Sequence, residues 1–115
     1  MASTFKNQGL DVGVLDDSTG NMYTAPGGTY AVVHALYISN KSSTNIAKVN
    51  VKVTTDGGST FYHVGKGLSV PANNTLVLDK PINLEPNDII RVYCDVLSDS
   101  STPTAEVFAS ILEVT

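Results

Sequence analysis

At 115 residues the chain has room for one domain that buries roughly two-thirds of its unfolded surface, enough to fold without staples. A net charge of −4, with no run of like charges and no Lys/Arg cluster along the sequence, argues against a phosphate-neutralising surface for nucleic acid. No stretch approaches the roughly 20 apolar residues of a membrane-crossing helix, and the sole cysteine, Cys94, excludes an intrachain disulfide and predicts a core thiol.

Residues 1–9 include Phe5 and carry few folding signals, so they are expected to form an interaction arm that orders against a neighbouring subunit. Phe5, Lys6 and Asn7 are its candidate contact residues, and the alternative is a terminus packed along its own domain. Residues 10–115 are expected to form the domain proper. Val12 and Val14 alternate with small or polar neighbours in a first strand over residues 10–15, and Asp16, Asp17, Ser18 and Gly20 mark a loop.

A short strand over residues 22–25 leads into a turn at Pro26, Gly27 and Gly28, and a long strand over residues 30–40 follows. Strict alternation puts Tyr30, Val32, Leu36 and Ile38 on one face of that strand and Ala31, Val33, Ala35 and Tyr37 on the other. With apolar residues in both sets, the strand is expected to be covered on both faces. Residues 46–55 alternate most cleanly, Ala47, Val49, Val51 and Val53 against Lys48, Asn50, Lys52 and Thr54.

Asp56, Gly57, Gly58 and Ser59 predict a hairpin connection into a strand over residues 61–64, after which Gly65, Gly67 and Pro71 interrupt a short apolar piece. Ala72, Asn73 and Asn74 turn the chain into residues 75–78, and Ile82 and Leu84 flank the next connection. Glu85, Pro86, Asn87 and Asp88 form a turn with Pro86 in its first central position. Ile90, Val92, Cys94 and Val96 then line one face of a strand, and Arg91, Tyr93 and Asp95 the other. A Ser/Thr/Asp/Pro loop over residues 97–104 precedes a last strand, residues 105–114, expected to pair inside a sheet. Turn signals at this spacing, with no helical period, predict an all-β fold: a single β-sandwich of about eight strands with jelly-roll or immunoglobulin-like topology.

Chemistry is sparse. His34 and His63 lie in predicted strands outside any HExxH, HxH or CxxC pattern, and no nucleophile elbow, P-loop or dinucleotide fingerprint occurs. Asp16 and Asp17 fall short of the six to eight oxygens that calcium requires. The reading is a non-enzymatic protein without metal or cofactor. Tyr23, Tyr30, Tyr37, Tyr62 and Tyr93 are available as sugar platforms, so a carbohydrate-binding module with a glycan ligand is the alternative from another class. Charged residues make up only 16% of the chain, and a surface rich in Ser, Thr and Asn instead can pack against neighbours with little ionic desolvation.

Three segments carry a resemblance: Tyr23, Thr24, Ala25, Pro26, Gly27 and Gly28 before an apolar strand ending in Asn40; Leu84, Glu85, Pro86, Asn87, Asp88, Ile89 and Ile90; and residues 109–115 at the end. In this order they resemble a family of small virion proteins of tailed bacteriophages. The resemblance implies a structural module in repeated copies, made in the host bacterial cytoplasm and added to the virion. A capsid decoration or cement protein held on the major capsid protein is the first expectation, and a neck, adaptor or tail-fibre component joined to neck or tail proteins the second. Either role implies a homo-oligomer or a repeated array, with no nucleic-acid or membrane partner.

Overall fold

The computed structural model describes residues 3–12, 21–43, 46–56, 59–94 and 105–115. The expectations for Asp16 and Asp17, for Gly57 and Gly58, for Asp95 and Val96, and for the loop 97–104 lie outside the described residues. The described chain forms nine strands and no helix: β1 (Ser3–Asp11), β2 (Asn21–Thr24), β3 (Tyr30–Asn40), β4 (Ala47–Thr54), β5 (Phe61–Val70), β6 (Thr75–Leu78), β7 (Ile82–Leu84), β8 (Ile89–Cys94) and β9 (Ala105–Val114). They build two antiparallel sheets packed as a sandwich. The five-stranded sheet has the order β1-β9-β3-β6, with β7 also paired to β3, and the four-stranded sheet the order β2-β8-β4-β5.

The pairing is nested. β4 pairs with its sequence neighbour β5, β3 with β6 and β7, β2 with β8, and β1 with β9, the successive pairs falling alternately in the two sheets. A single long ribbon, closed at the β4–β5 connection and rolled over the core, gives this order, which is that of a jelly roll. The ninth strand arises because Ile82 and Leu84, expected to flank a connection, form β7, which with β6 pairs along β3 end to end around Asp79, Lys80 and Pro81.

Period-two alternation sets the inward residues of β4, β8 and β9, and those of β3 on either side of a bulge. Ala47, Val49, Val51 and Val53 of β4 are buried beside Ile90, Val92 and Cys94 of the adjacent β8, in one cluster with Val33, Leu36 and Ile38 of β3 and Val107, Ala109 and Ile111 of β9 from the other sheet. β5 runs on through Gly65 and Gly67, where a pause was expected. Its register shifts opposite Val51, and Gly67 takes φ +63° while its N–H donates to the buried Asn50 Oδ1 at 2.7 Å.

Strict alternation fails in β3. Its register on β9 shifts between Val33 and Ala35, so a bulge at His34 reverses the parity of everything after it. Ala31, Val33, Leu36 and Ile38 therefore face the core together, while Tyr30, Val32 and Tyr37 share the outer face. The expectation that β3 is covered on both faces is corrected by the same observation, since Tyr30 and Tyr37 are exposed.

Candidate interaction surfaces

The three segments that carry the resemblance meet at one corner. The turn at residues 26–29 closes with Thr29 N–H donating to the Pro26 carbonyl at 3.0 Å, with Gly28 at φ +77°, and the turn at 85–88 closes likewise, with Asn87 at φ 72°. They are laced together: Ala25 N–H donates to the Asp88 carbonyl at 2.9 Å and Asn87 N–H to the Ala25 carbonyl at 2.8 Å. From the third segment, Glu113 accepts a hydrogen bond from the Tyr23 hydroxyl, and Lys6 Nζ lies 3.4 Å from its other oxygen. Burial, and then Glu113, push the Tyr23 phenol well above its usual range. At the far end of β3, the side chain of buried Asn40 donates to the Val70 carbonyl and its backbone N–H to that of Asn74. These residues tie the ribbon at its folds, a structural role.

Two outer faces remain. That of the five-stranded sheet is apolar in two rows. Phe5 of β1, Leu112 of β9 and Val32 of β3 stand in register, and further along the strands so do Phe108, Tyr37 and Val77. Phe5 is 80% exposed, and the Tyr37 and Phe108 rings are 6.4 Å apart, both open to solvent. Gly9 is the β1 partner of Phe108, and its missing side chain leaves a hollow of about 420 Å³ bounded by Tyr37, Ser39, Glu106 and Phe108.

The predicted contact residues lie in β1, which is in register with β9 from Ser3 to Asp11. Phe5 and Asn7 share the outer face, because their partners are Leu112 and Ser110. Lys6 does not join them; its partner is inward-facing Ile111, and its ammonium turns to Glu113.

The outer face of the four-stranded sheet holds a group that sequence reading misses. Asn21, Arg91, Lys52 and His63 stand in one register row across β2, β8, β4 and β5. Arg91 Nε donates to Asn21 Oδ1 at 2.6 Å. Aromatic rings flank the row: the Phe61 ring centre lies 4.9 Å from Lys52 Nζ and 4.4 Å from Arg91 Cζ, and that of Tyr93 lies 5.4 Å from Lys52 Nζ and 6.0 Å from Lys66 Nζ. The Tyr93 hydroxyl is 3.1 Å from His63 Nε2. The available signal was that Lys52, Arg91 and Tyr93 all occupy the polar sets of their strands; which strands lie side by side is not written in those sets. His34 stands at the β3 bulge in the other sheet, so the fold does not bring the two histidines together.

No protein-family model matches this chain, and no curated protein matches it.

Proposed function

We propose that this protein is a non-enzymatic structural subunit of a tailed-bacteriophage particle, most directly a capsid decoration protein, acting by packing its five-stranded sheet against a neighbouring virion protein. The observation that carries the reading is the open apolar face of Phe5, Leu112, Val32, Phe108, Tyr37 and Val77. Exposed apolar side chains gathered in rows on one face are what a protein contact site presents. Modest contacts of this kind, repeated over a shell, hold by avidity. The ordered resemblance of residues 23–40, 84–90 and 109–115 supplies the virion context.

The test is incorporation. In purified particles the protein is expected at on the order of hundreds of copies on the shell; a copy number of about a dozen at one vertex would move it to the neck or tail. Phe5→Lys with Phe108→Lys should leave the melting temperature within a few degrees, since both side chains are exposed, yet remove the protein from particles. Normal incorporation of that double variant would overturn the assignment of this face.

A further inference from the structure

We propose that β1 is a joint between two copies of this chain: its open edge pairs antiparallel with β1 of a second copy, seating Phe5 of each copy in the hollow over Gly9 of the other. The pairing uses the edge of the sheet whose face carries the proposed function, and it does not depend on the virion reading.

Exposed sheet edges are ordinarily blunted by shortness, bulges or charge. The other edges of this sandwich follow that rule. β2 has four residues and a register shift, β6 and β7 have four and three residues, and β5 carries two register shifts and the positive-φ Gly67. β1 does not. It runs nine residues in unbroken register with β9, contains no proline, and its one lysine, Lys6, turns to Glu113. Among the described residues no strand pairs with its far side.

The ladder shows which groups are open. Val12 N–H donates to the Ala105 carbonyl at 2.9 Å, and hydrogen-bonded pairs recur at every second residue of an antiparallel ladder. The backbone groups of Thr4, Lys6, Gln8 and Leu10 therefore point to β9, whereas those of Ser3, Phe5, Asn7, Gly9 and Asp11 point to the open edge.

Two such edges are complementary to each other. Antiparallel pairing of residues 3–11 about a two-fold axis at Asn7 matches every open residue to another open residue. The same register sets Phe5 directly opposite Gly9 of the second copy, on the outer face. Phe5 is 80% exposed, and the hollow of about 420 Å³ over Gly9 is bounded by Tyr37 and Phe108. The incoming ring would extend the row of Phe108, Tyr37 and Val77 and cover an edge glycine, an arrangement that stabilises cross-strand pairs. Lys6 and Asp11 would stand opposite Gln8 and Ser3, so no like charges meet. Slipping the register by two residues shortens the ladder and takes Phe5 off Gly9.

The experiment is sedimentation and backbone-amide exchange of the isolated intact chain, with no other virion protein present, so its outcome is separate from that of incorporation. A monomer–dimer equilibrium with a dissociation constant on the order of 10 μM is expected for a small interface. Dimerisation should slow exchange at Phe5, Asn7 and Gly9, whereas Lys6, Gln8 and Leu10 are already protected by β9 in the monomer. Phe5→Ala removes the ring and Gly9→Glu fills the hollow with a charge. Each should weaken the dimer at least about tenfold and leave the melting temperature within a few degrees. Both fit the single copy, since Phe5 is exposed and a Cβ at Gly9 meets nothing closer than the Val107 carbonyl at 3.9 Å. A chain still monomeric at about 1 mM, a dimer whose Phe5, Asn7 and Gly9 amides exchange as in the monomer, or undiminished association of both variants would each overturn the proposal.

Discussion

Asp56 shows how one side chain closes the ribbon from which the fold is rolled. Its Oδ1 accepts from the Thr54 hydroxyl at 2.7 Å, from Thr60 N–H at 2.9 Å and from Ser59 N–H at 3.0 Å. These bonds favour the ionised form, the Thr60 N–H most, and hold the carboxyl down at about 2. A carboxylate whose folded value lies below its ordinary 3.8 contributes stability that is complete above about pH 4 and is lost as pH falls through 2. Urea melts of Asp56→Asn are therefore expected to show a flatter stability profile than the parent between about pH 4 and pH 2. An unchanged slope would show that the carboxylate does not fasten this connection. In the interior, Val51 is fully buried between β5 and β8, and Val51→Asp places an unpaired charge there. A loss of more than about 3 kcal/mol in denaturant unfolding is expected; a preserved melting transition would contradict the inward assignment of the valine ladder.

Among the elements, β9 matters most and β3 is the most informative. β9 lies between β1 and β3 and buries Ala105, Val107, Ala109 and Ile111, so a chain ending at residue 103 loses the middle of the five-stranded sheet. That chain is expected not to fold, and cooperative melting of a soluble product would refute it. The inward apolar sets of β4 and β8 were legible because unbroken alternation fixes which residues share a face. β3 was half legible. Its residues predict a strand, but whether a bulge at His34 occurs depends on how β9 pairs with it, and that one extra residue moves Leu36 and Ile38 to the core and Tyr37 to the surface. The N-terminal segment shows the reverse case. Few local signals mark residues 3–9, yet pairing with β9 makes them strand, because an edge needs only a neighbouring ladder to hold it.

At the scale of the whole molecule, a body of 47 × 26 × 19 Å presents two outer faces of different chemistry. The five-stranded sheet offers aromatic and aliphatic side chains, and the four-stranded sheet offers cations held on rings. Sequence by itself determined most of the strands, the turns at residues 26–29 and 85–88 and the inward valines of β4, because period two and the φ preferences of Pro, Gly and Asn act over a few residues. It also contained the ordered segments at 23–28, 84–90 and 109–115, without showing that they lace one corner together. The nested jelly-roll order, the open apolar face and the row of Arg91, Lys52 and His63 were decided only by tertiary structure. Each depends on which distant strands lie side by side and in what register, and that is set by closing one shared core rather than by any local pattern.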